Sequence, residues 1–178
     1  MNRVITHTIG QAPKRPSFLS RLLLRVRAAI SGHEVFCVPN QSMLSTMNIR
    51  DEVIVDRAAY KNQPVCRGDA IVYKSQKHNN LLLPSRVVAL AGDTIEIREG
   101  SLFVNEKLVP EPYVDTDAAD QEYSKQFARA VVPAGHVFIL GDFRDMSEDS
   151  RVIGPVATSH IHARILQGKS NVAHRPEG

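Results

Sequence analysis

Residues 94–104 read TIEIREGSLFV, and this stretch indicates the fold class most clearly. Over residues 94–98, isoleucines alternate with polar or charged side chains, with the period of two that is typical of a strand with one buried face. Glu99 and Gly100 interrupt the alternation as a turn would, before a second apolar run begins. We therefore predict a β-hairpin over residues 94–109.

Other short runs rich in β-branched residues surround this hairpin in the sequence. They lie at residues 53–55, 70–73, 86–90 and 137–140, with a further candidate strand at 160–166. Several short strands separated by turn signals are typical of an all-β domain. We predict a mainly antiparallel β domain over residues 34–166. A polar segment with two prolines, 110–130, is expected to leave the sheet, and 167–178 to form a polar tail.

Residues 17–30 have the spacing of an amphipathic helix. Apolar residues recur there every three or four positions, Ser17 is a suitable N-cap, and Gly32 is a suitable stop. Three arginines interrupt the segment, so it does not resemble a membrane span, and it lacks the uncharged apolar core of a secretory signal. We expect the helix to lie on an anionic membrane surface, or to pack on its own domain or a partner.

Positive charge is concentrated in residues 1–33, the basic tail and helix. This region has six basic residues and no acid, so the formal net charge of +3 leaves −3 for the remainder. A basic arm on a mildly acidic body, without an RNA- or DNA-binding motif, does not favour nucleic acid as a partner. Two cysteines, Cys37 and Cys66, are expected to be free, partly buried thiols, with a single disulfide bridge in an oxidising compartment as the alternative. The seven histidines are scattered, so we predict no metal site, and the sequence has no nucleotide-binding loop, so we predict no cofactor.

Two polar stretches have compositions suited to catalysis. Residues 38–48, VPNQSMLSTMN, place Ser42 between two extended runs, where a nucleophilic hydroxyl would be exposed. Residues 141–151, GDFRDMSEDSR, combine two arginines, four acids and two serines. That composition predicts a network of charge-assisted hydrogen bonds, with a solvated loop after a strand as the alternative.

Four sequence boxes, in this order, resemble those of the type I signal peptidases, the serine endopeptidases that remove signal peptides. Ser42-Met43 corresponds to the family's Ser-Met-x-Pro-Thr, and residues 67–69 to its strand-opening Arg-Gly-Asp. Residues 86–93 resemble Lys-Arg-Val-x-Gly-x-Pro-Gly-Asp, and residues 141–151 resemble Gly-Asp-Asn-Arg-Asp-x-Ser-x-Asp-Ser-Arg. The resemblance implies an antiparallel signal-peptidase-like β fold with serine-type endopeptidase activity.

The same resemblance implies roles for individual side chains. Ser42 would be the nucleophile, and Asn40 occupies the position of a residue that assists the oxyanion. Ser147 matches the serine that orients the family's basic lysine. Asp149 and Arg151 match a supporting ion pair.

The resemblance also implies a substrate and a location. The substrate would be an extended, signal-peptide-like segment that adds a strand to a sheet edge, with small residues next to the scissile bond. The family's location would be the periplasmic face of the bacterial inner membrane. Most of its members are tethered there by one or two spans, and this chain departs from that pattern, so we expect peripheral association through residues 17–30 without a transmembrane span.

The general base is where the chain departs from the family pattern. The family has lysine there, or histidine in its endoplasmic-reticulum relatives, and this chain has Ser85. A serine hydroxyl cannot take the proton of Ser42 near neutral pH, because its conjugate acid is far too strong. Lys74, Lys77 and His78 are the candidates that could reach Ser42 from another direction.

Three functional interpretations follow. The first is a signal-peptidase-like serine endopeptidase, impaired at its base or served by another one, and Ser42 favours it. The second is a catalytically inactive homologue that acts as a peptide-binding or assembly factor, and Ser85 favours it. The third, a self-cleaving repressor-type protease, is less favoured because no pair of DNA-binding helices precedes the domain.

Overall fold

The computed structural model of this chain describes residues 17–44, 46–114 and 120–166. The helices are α1 (Phe18–Ile30), α2 (Glu122–Lys125) and α3 (Ser150–Ile153). The strands are β1 (Glu34–Cys37), β2 (Glu52–Asp56), β3 (Ala70–Ser75), β4 (Leu81–Leu90), β5 (Thr94–Arg98), β6 (Ser101–Val104), β7 (Lys107–Leu108), β8 (Phe127–Val131), β9 (His136–Leu140), β10 (Val156–Ala157) and β11 (Ile161–Ile165). The tails predicted at 1–16 and 167–178 lie outside the described residues.

The strands form two antiparallel sheets, which confirms the predicted fold class. The larger sheet has the order β1-β2-β11-β3-β4-β9-β10, and the smaller one has the order β7-β6-β5-β8. Every strand pair in them is antiparallel. Ala89 and Phe138 of the larger sheet share a buried cluster with Ile95 and Leu102 of the smaller one, so one core joins the two sheets.

The hairpin predicted from residue 94 is present. β5 and β6 pair with Arg98 opposite Ser101, and alternate side chains of both strands are buried. Glu99 and Gly100 connect them with φ angles of 49° and 77°. These left-handed values are those of a two-residue type I′ turn, which matches the twist of the strands. The chain then continues into β7, which pairs with β6.

The prediction that residues 110–130 leave the sheet is wrong at its C-terminal end. Phe127–Val131 form β8, which pairs with β5. The Phe127 ring lies 5.1 Å from that of Phe138, centroid to centroid, and so attaches β8 to the common core. The strand has only five residues, FARAV, two of them alanines with little strand preference, and its partner strand is distant in sequence.

The helix predicted over residues 17–30 is α1, with the predicted N-cap. The Ser17 hydroxyl accepts a hydrogen bond from the amide N–H three residues later, at 3.2 Å. Arg21 and Arg25 bind the carboxylate of Glu52 on β2, at 2.7 and 2.9 Å. The side of the helix that carries Arg21 and Arg25 therefore contacts β2 through these ion pairs.

The two cysteines are free, as expected, but the prediction that they are partly buried is wrong. Cys37 and Cys66 are both exposed. Cys37 is the last residue of the edge strand β1, and Cys66 lies in the loop before β3. Both positions are at the margin of the larger sheet, where an apolar side chain need not face the core.

Candidate active site

Ser42 lies in the turn between β1 and β2, and apolar side chains of this turn are buried in the core. Val38 and Met43 are 0% exposed and Met47 is 2% exposed, so the turn is anchored by its own residues. The amide N–H of Arg50 donates to the carbonyl oxygen of Val38 at 2.8 Å and closes the turn. Ser42 is itself 8% exposed, so the prediction that its hydroxyl is exposed is wrong: the surrounding turn and the segments packed on it nearly bury it.

The Ser42 hydroxyl has two acceptors within hydrogen-bonding distance. They are Asn40 Oδ1 at 2.9 Å and the carbonyl oxygen of Pro84 at 3.3 Å. Asn40 Oδ1 also accepts from the Ser42 amide N–H at 3.3 Å. The amide oxygen of Asn40, and not its nitrogen, therefore faces Ser42, so that an oxyanion-donor role for Asn40 requires the amide to turn over.

The segment after β9 approaches Ser42 closely from the other side. The Phe143 N–H donates to the Ser42 carbonyl oxygen at 2.9 Å. The Ser147 hydroxyl lies 3.1 Å from the same oxygen and 2.7 Å from the Phe143 carbonyl oxygen, to which it can donate. Gly141 allows this approach, since a Cβ atom on it would lie only 2.6 Å from the Ser42 carbonyl oxygen.

The predicted ion pair between Asp149 and Arg151 is present behind this segment. The Asp149 carboxylate accepts from Arg151 Nε and Nη2, both at 2.8 Å, and from the Gly141 N–H at 3.0 Å. The side chains of Arg151 and Asp149 are 1% and 3% exposed. Arg151 also donates to the carbonyl oxygen of Arg144 at 2.6 Å. The pair therefore connects the end of β9 to α3 through charge-assisted bonds.

A second buried ion pair, between Arg86 and Asp142, was not predicted to be part of the site. Arg86 donates to both Asp142 carboxylate oxygens, at 2.7 and 2.6 Å. Thr46 in the Ser42 turn donates to Asp142 at 2.7 Å, and the Arg86 guanidinium lies 4.0 Å from the Tyr113 ring centroid. These contacts hold the Ser42 turn against β4. Arg86 and Asp142 lie within two of the boxes described above, which is the signal that could have identified them.

A cavity of about 140 Å³ lies beside Ser42 at the position of the missing base. Ser85 lines it and is 3% exposed, with its hydroxyl donating to the Leu140 carbonyl oxygen at 3.0 Å. Tyr73 also lines the cavity, and burial raises its pKa to about 12, so that its phenol stays protonated near neutral pH. Asn40, Ser147 and Asp149 line the same cavity, so five of the six predicted site residues meet there.

The three candidate replacements for the base are not equivalent. Lys74 and Lys77 line a neighbouring groove of about 480 Å³, which Ser42 does not line. His78 lines the cavity that Ser42 lines. Its Nε2 lies 2.5 Å from an oxygen of Glu148, and the Lys77 ammonium binds the other oxygen of that carboxylate.

β4 presents an unpaired edge next to Ser42. β4 pairs with β3 from Leu81, the first residue of β4, to Arg86. On its other side, β4 pairs with β9 only from Arg86 onwards. Among the described residues, the opposite edge of β4 over residues 81–85 has no strand partner. The Pro84 carbonyl points from this edge to Ser42. The backbone groups of Leu82, two residues away, face the same direction.

Comparison with known proteins identifies the family of this chain. The family model described as signal peptidase, peptidase S26, matches residues 16–167. A signal peptidase I of Leptolyngbya laminosa is 31% identical over 152 residues, which are 82% of this chain and 71% of the relative. Signal peptidase I V of Bacillus subtilis is 30% identical over 160 residues, which are 83% of this chain and 94% of the relative.

A solved structure shows the same fold. The crystal structure of a signal peptidase I from Enterococcus faecalis superimposes with a TM-score of 0.52 at 27% identity, and covers 59% of this chain and 98% of that one. The sequence boxes, the antiparallel sheets and the relatives all indicate the same family. This chain belongs to the signal peptidase family of serine endopeptidases, peptidase S26.

Proposed function

We propose that this protein removes signal peptides from preproteins, with Ser42 as its nucleophile. The observation that supports this most directly is the position of the Ser42 hydroxyl, 3.3 Å from the Pro84 carbonyl oxygen at the unpaired edge of β4. A peptide that extends the sheet at this edge would pass its carbonyl groups in front of that hydroxyl. Nucleophile and binding edge therefore belong to one groove.

The substrate that suits this groove is an extended segment with small side chains next to the scissile bond. Strand addition binds the main chain and leaves specificity to pockets for alternate side chains. The cavity beside Ser42 measures only about 140 Å³, and Leu83 and Met146 form the apolar part of its wall. Alanine-sized side chains suit such a space better than large ones do.

The chemistry would proceed through an acyl-enzyme. Ser42 Oγ attacks the scissile carbonyl carbon, the amide C–N bond breaks, and water hydrolyses the resulting ester. The Ser42 N–H and hydroxyl both contact Asn40 Oδ1, so they face the same side of the turn. That N–H would be the first oxyanion donor, and the Asn40 amide, once turned over, the second.

A cleavage assay with two matched peptides tests the proposed function. One peptide carries a signal sequence with alanine at positions −1 and −3, and the other carries leucine at both. We expect cleavage after the −1 alanine, and at least roughly 100-fold slower cleavage of the leucine peptide, because the small cavity excludes the larger side chains. Liquid chromatography with mass spectrometry measures both. Binding of the alanine peptide without any cleavage would contradict the proposal and favour the peptide-binding or assembly factor.

We also propose that α1 attaches the domain to a membrane surface. Six large apolar side chains of the helix are 46–83% exposed: Phe18, Leu19, Leu22, Leu23, Val26 and Ile30. They occupy an arc of about 140° on a helical wheel, as in helices that lie in a membrane interface. No helix in the described ranges is long and apolar enough to cross a membrane.

Glu52 determines which face of α1 is exposed. The side chain of Glu52 is 5% exposed and binds Arg21 and Arg25, on the edge of the helix beside the apolar face. The hydrogen bond from Arg21 holds the pKa of Glu52 below its ordinary value, so the carboxylate is ionised at neutral pH. The apolar face is thereby directed away from the β domain.

We propose that the domain lies at the periplasmic face of the bacterial inner membrane, where secreted preproteins emerge.

Placing glutamate at both Leu19 and Leu23 is expected to weaken binding to anionic vesicles at least roughly tenfold. Burial of each leucine would contribute about 1.5–3 kcal/mol, and the new charges repel the lipid surface. Vesicle co-sedimentation measures the effect. The matched control is Leu108→Glu, since Leu108 is 60% exposed on β7, outside the helix. Equal binding of the double variant, or no binding by the unmodified protein, would exclude α1 as the attachment.

A further inference from the structure

His78 and Ser42 line the same cavity, although 35 residues separate them in the chain. His78 lies in the 3-10 turn Gln76–His78, at the tip of the hairpin that joins β3 to β4. Asn79 and Asn80 complete this tip with φ angles of 51° and 62°. This hairpin makes His78 one of the residues that line the cavity beside Ser42, with its side chain 45% exposed.

We propose that His78, oriented by Glu148, is the general base that replaces the missing lysine. The inference rests on the proposed function, since it assigns the proton acceptor for the same Ser42. It predicts a Ser-His-Glu arrangement, in which the histidine comes from the β3–β4 hairpin and the glutamate from the segment after β9.

The contacts of His78 suit this role. Its Nε2 lies 2.5 Å from Glu148 Oε2, and the carboxylate therefore favours the tautomer with its proton on Nε2. Nδ1 then has a free lone pair to accept a proton. Hydrogen bonds from Lys77 and His78 hold the pKa of Glu148 below its ordinary value, so this carboxylate is ionised at neutral pH.

Other polar groups around the cavity are less suited to accept the proton. Tyr73 remains a phenol, because burial raises its pKa to about 12. The Asp149 carboxylate already accepts hydrogen bonds from Arg151 and from the Gly141 N–H. Lys74 and Lys77 line the neighbouring groove instead. The His78 imidazole is therefore the group on the cavity wall that we assign as the base, since histidine is the side chain that most often transfers protons in active sites.

The Ser42 proton passes to His78 Nδ1 through a water molecule in the cavity, while Ser42 Oγ bonds to the scissile carbonyl carbon. As the tetrahedral intermediate collapses, the C–N bond breaks and the imidazolium returns a proton to the leaving amine. His78 then takes a proton from the water that hydrolyses the ester, and returns it to Ser42 Oγ.

The test measures kcat/KM against pH for the full chain, on the peptide with alanine at −1 and −3. We expect His78→Gln to lower kcat/KM by roughly 10²–10⁴-fold and to remove the limb that falls towards acid pH. Glu148→Gln should lower it less and shift that limb. Among the titratable groups, Glu148 contacts the imidazole, Lys77 binds the same carboxylate, and Tyr73 and Asp149 line the same cavity. His136→Gln, which changes a histidine of the neighbouring groove that contacts the Ala134 carbonyl oxygen, is the matched control and should leave the profile unchanged.

A second background separates a base from a structural residue. Ser85→Lys supplies the family's own base, so adding His78→Gln to it should cost little activity. An equal loss in both backgrounds would show that His78 only supports the fold, and the inference would fail. Unchanged cleavage by His78→Gln alone would also overturn it while leaving the proposed function intact. If the unmodified protein never cleaves the peptide, the proposed function fails first, and the inference with it.

Discussion

Replacing Ser42 by alanine is expected to lower the rate of peptide cleavage by at least roughly 10⁴-fold. The reason is that the nucleophile, its base and the oxyanion donors act as one unit, so that loss of the nucleophile removes most of the rate enhancement. Binding should survive, because the unpaired edge of β4 over residues 81–85 does not depend on the hydroxyl. Initial rates and peptide affinity, measured on the same preparation, separate the two effects.

The fold should tolerate this change. Ser42→Ala removes one hydroxyl that donates to Asn40 or Pro84, which amounts to about 1 kcal/mol of stability. Ser101→Ala, in the hairpin of the smaller sheet, is a matched control and should cleave at the unmodified rate. Cleavage by Ser42→Ala at the rate of this control would exclude Ser42 as the nucleophile.

Replacing Gly141 by alanine is expected to abolish cleavage and to destabilise the protein by roughly 2–4 kcal/mol. The new Cβ atom would lie 1.8 Å from Ser147 Oγ, 2.5 Å from Ser147 Cβ and 2.6 Å from the Ser42 carbonyl oxygen. Rotating the Ser147 side chain relieves only the first of these clashes. The Ser42 turn or the end of β9 must therefore move, which displaces the nucleophile. Denaturant unfolding and initial rates measure the two consequences.

Gly135→Ala is the matched control for Gly141→Ala. Gly135 has a φ of 72°, and an added Cβ there would meet nothing within 4 Å. That variant carries backbone strain of about 1 kcal/mol without a clash, and it lies at the turn before β9, away from the cavity. If Gly141→Ala were no more harmful than Gly135→Ala, the close approach of the two segments would not matter for the site.

Local sequence patterns were sufficient to predict the β class and α1. The hairpin at residues 94–104 carries its alternation and its turn within eleven residues, and Ser17 caps α1 as its side chain suggests. β8 was not recognised because its pairing with β5 is non-local. The periodicity of α1 identified an apolar face but could not show its direction, which depends on the ion pairs with Glu52.

The resemblance to signal peptidases indicated which residues would meet, but not their hydrogen bonds. Ser42 and Ser147 are 105 positions apart, and nothing local brings them together. The orientation of Asn40 and the bond from Ser85 to the Leu140 carbonyl depend on the packed neighbours of each side chain. The resemblance marks Ser85 as a departure, whereas only the fold distinguishes His78 from Lys74 and Lys77.

The most direct test of Ser42 Oγ as the nucleophile is detection of the acyl-enzyme. The full chain is mixed with an ester analogue of the alanine peptide, quenched in acid within seconds, and analysed by intact-mass and peptide-mapping mass spectrometry. We expect an added mass equal to the acyl portion, located on Ser42 and absent from Ser42→Ala. An adduct on another residue, or turnover of the ester without any adduct at the shortest quench times, would contradict this assignment.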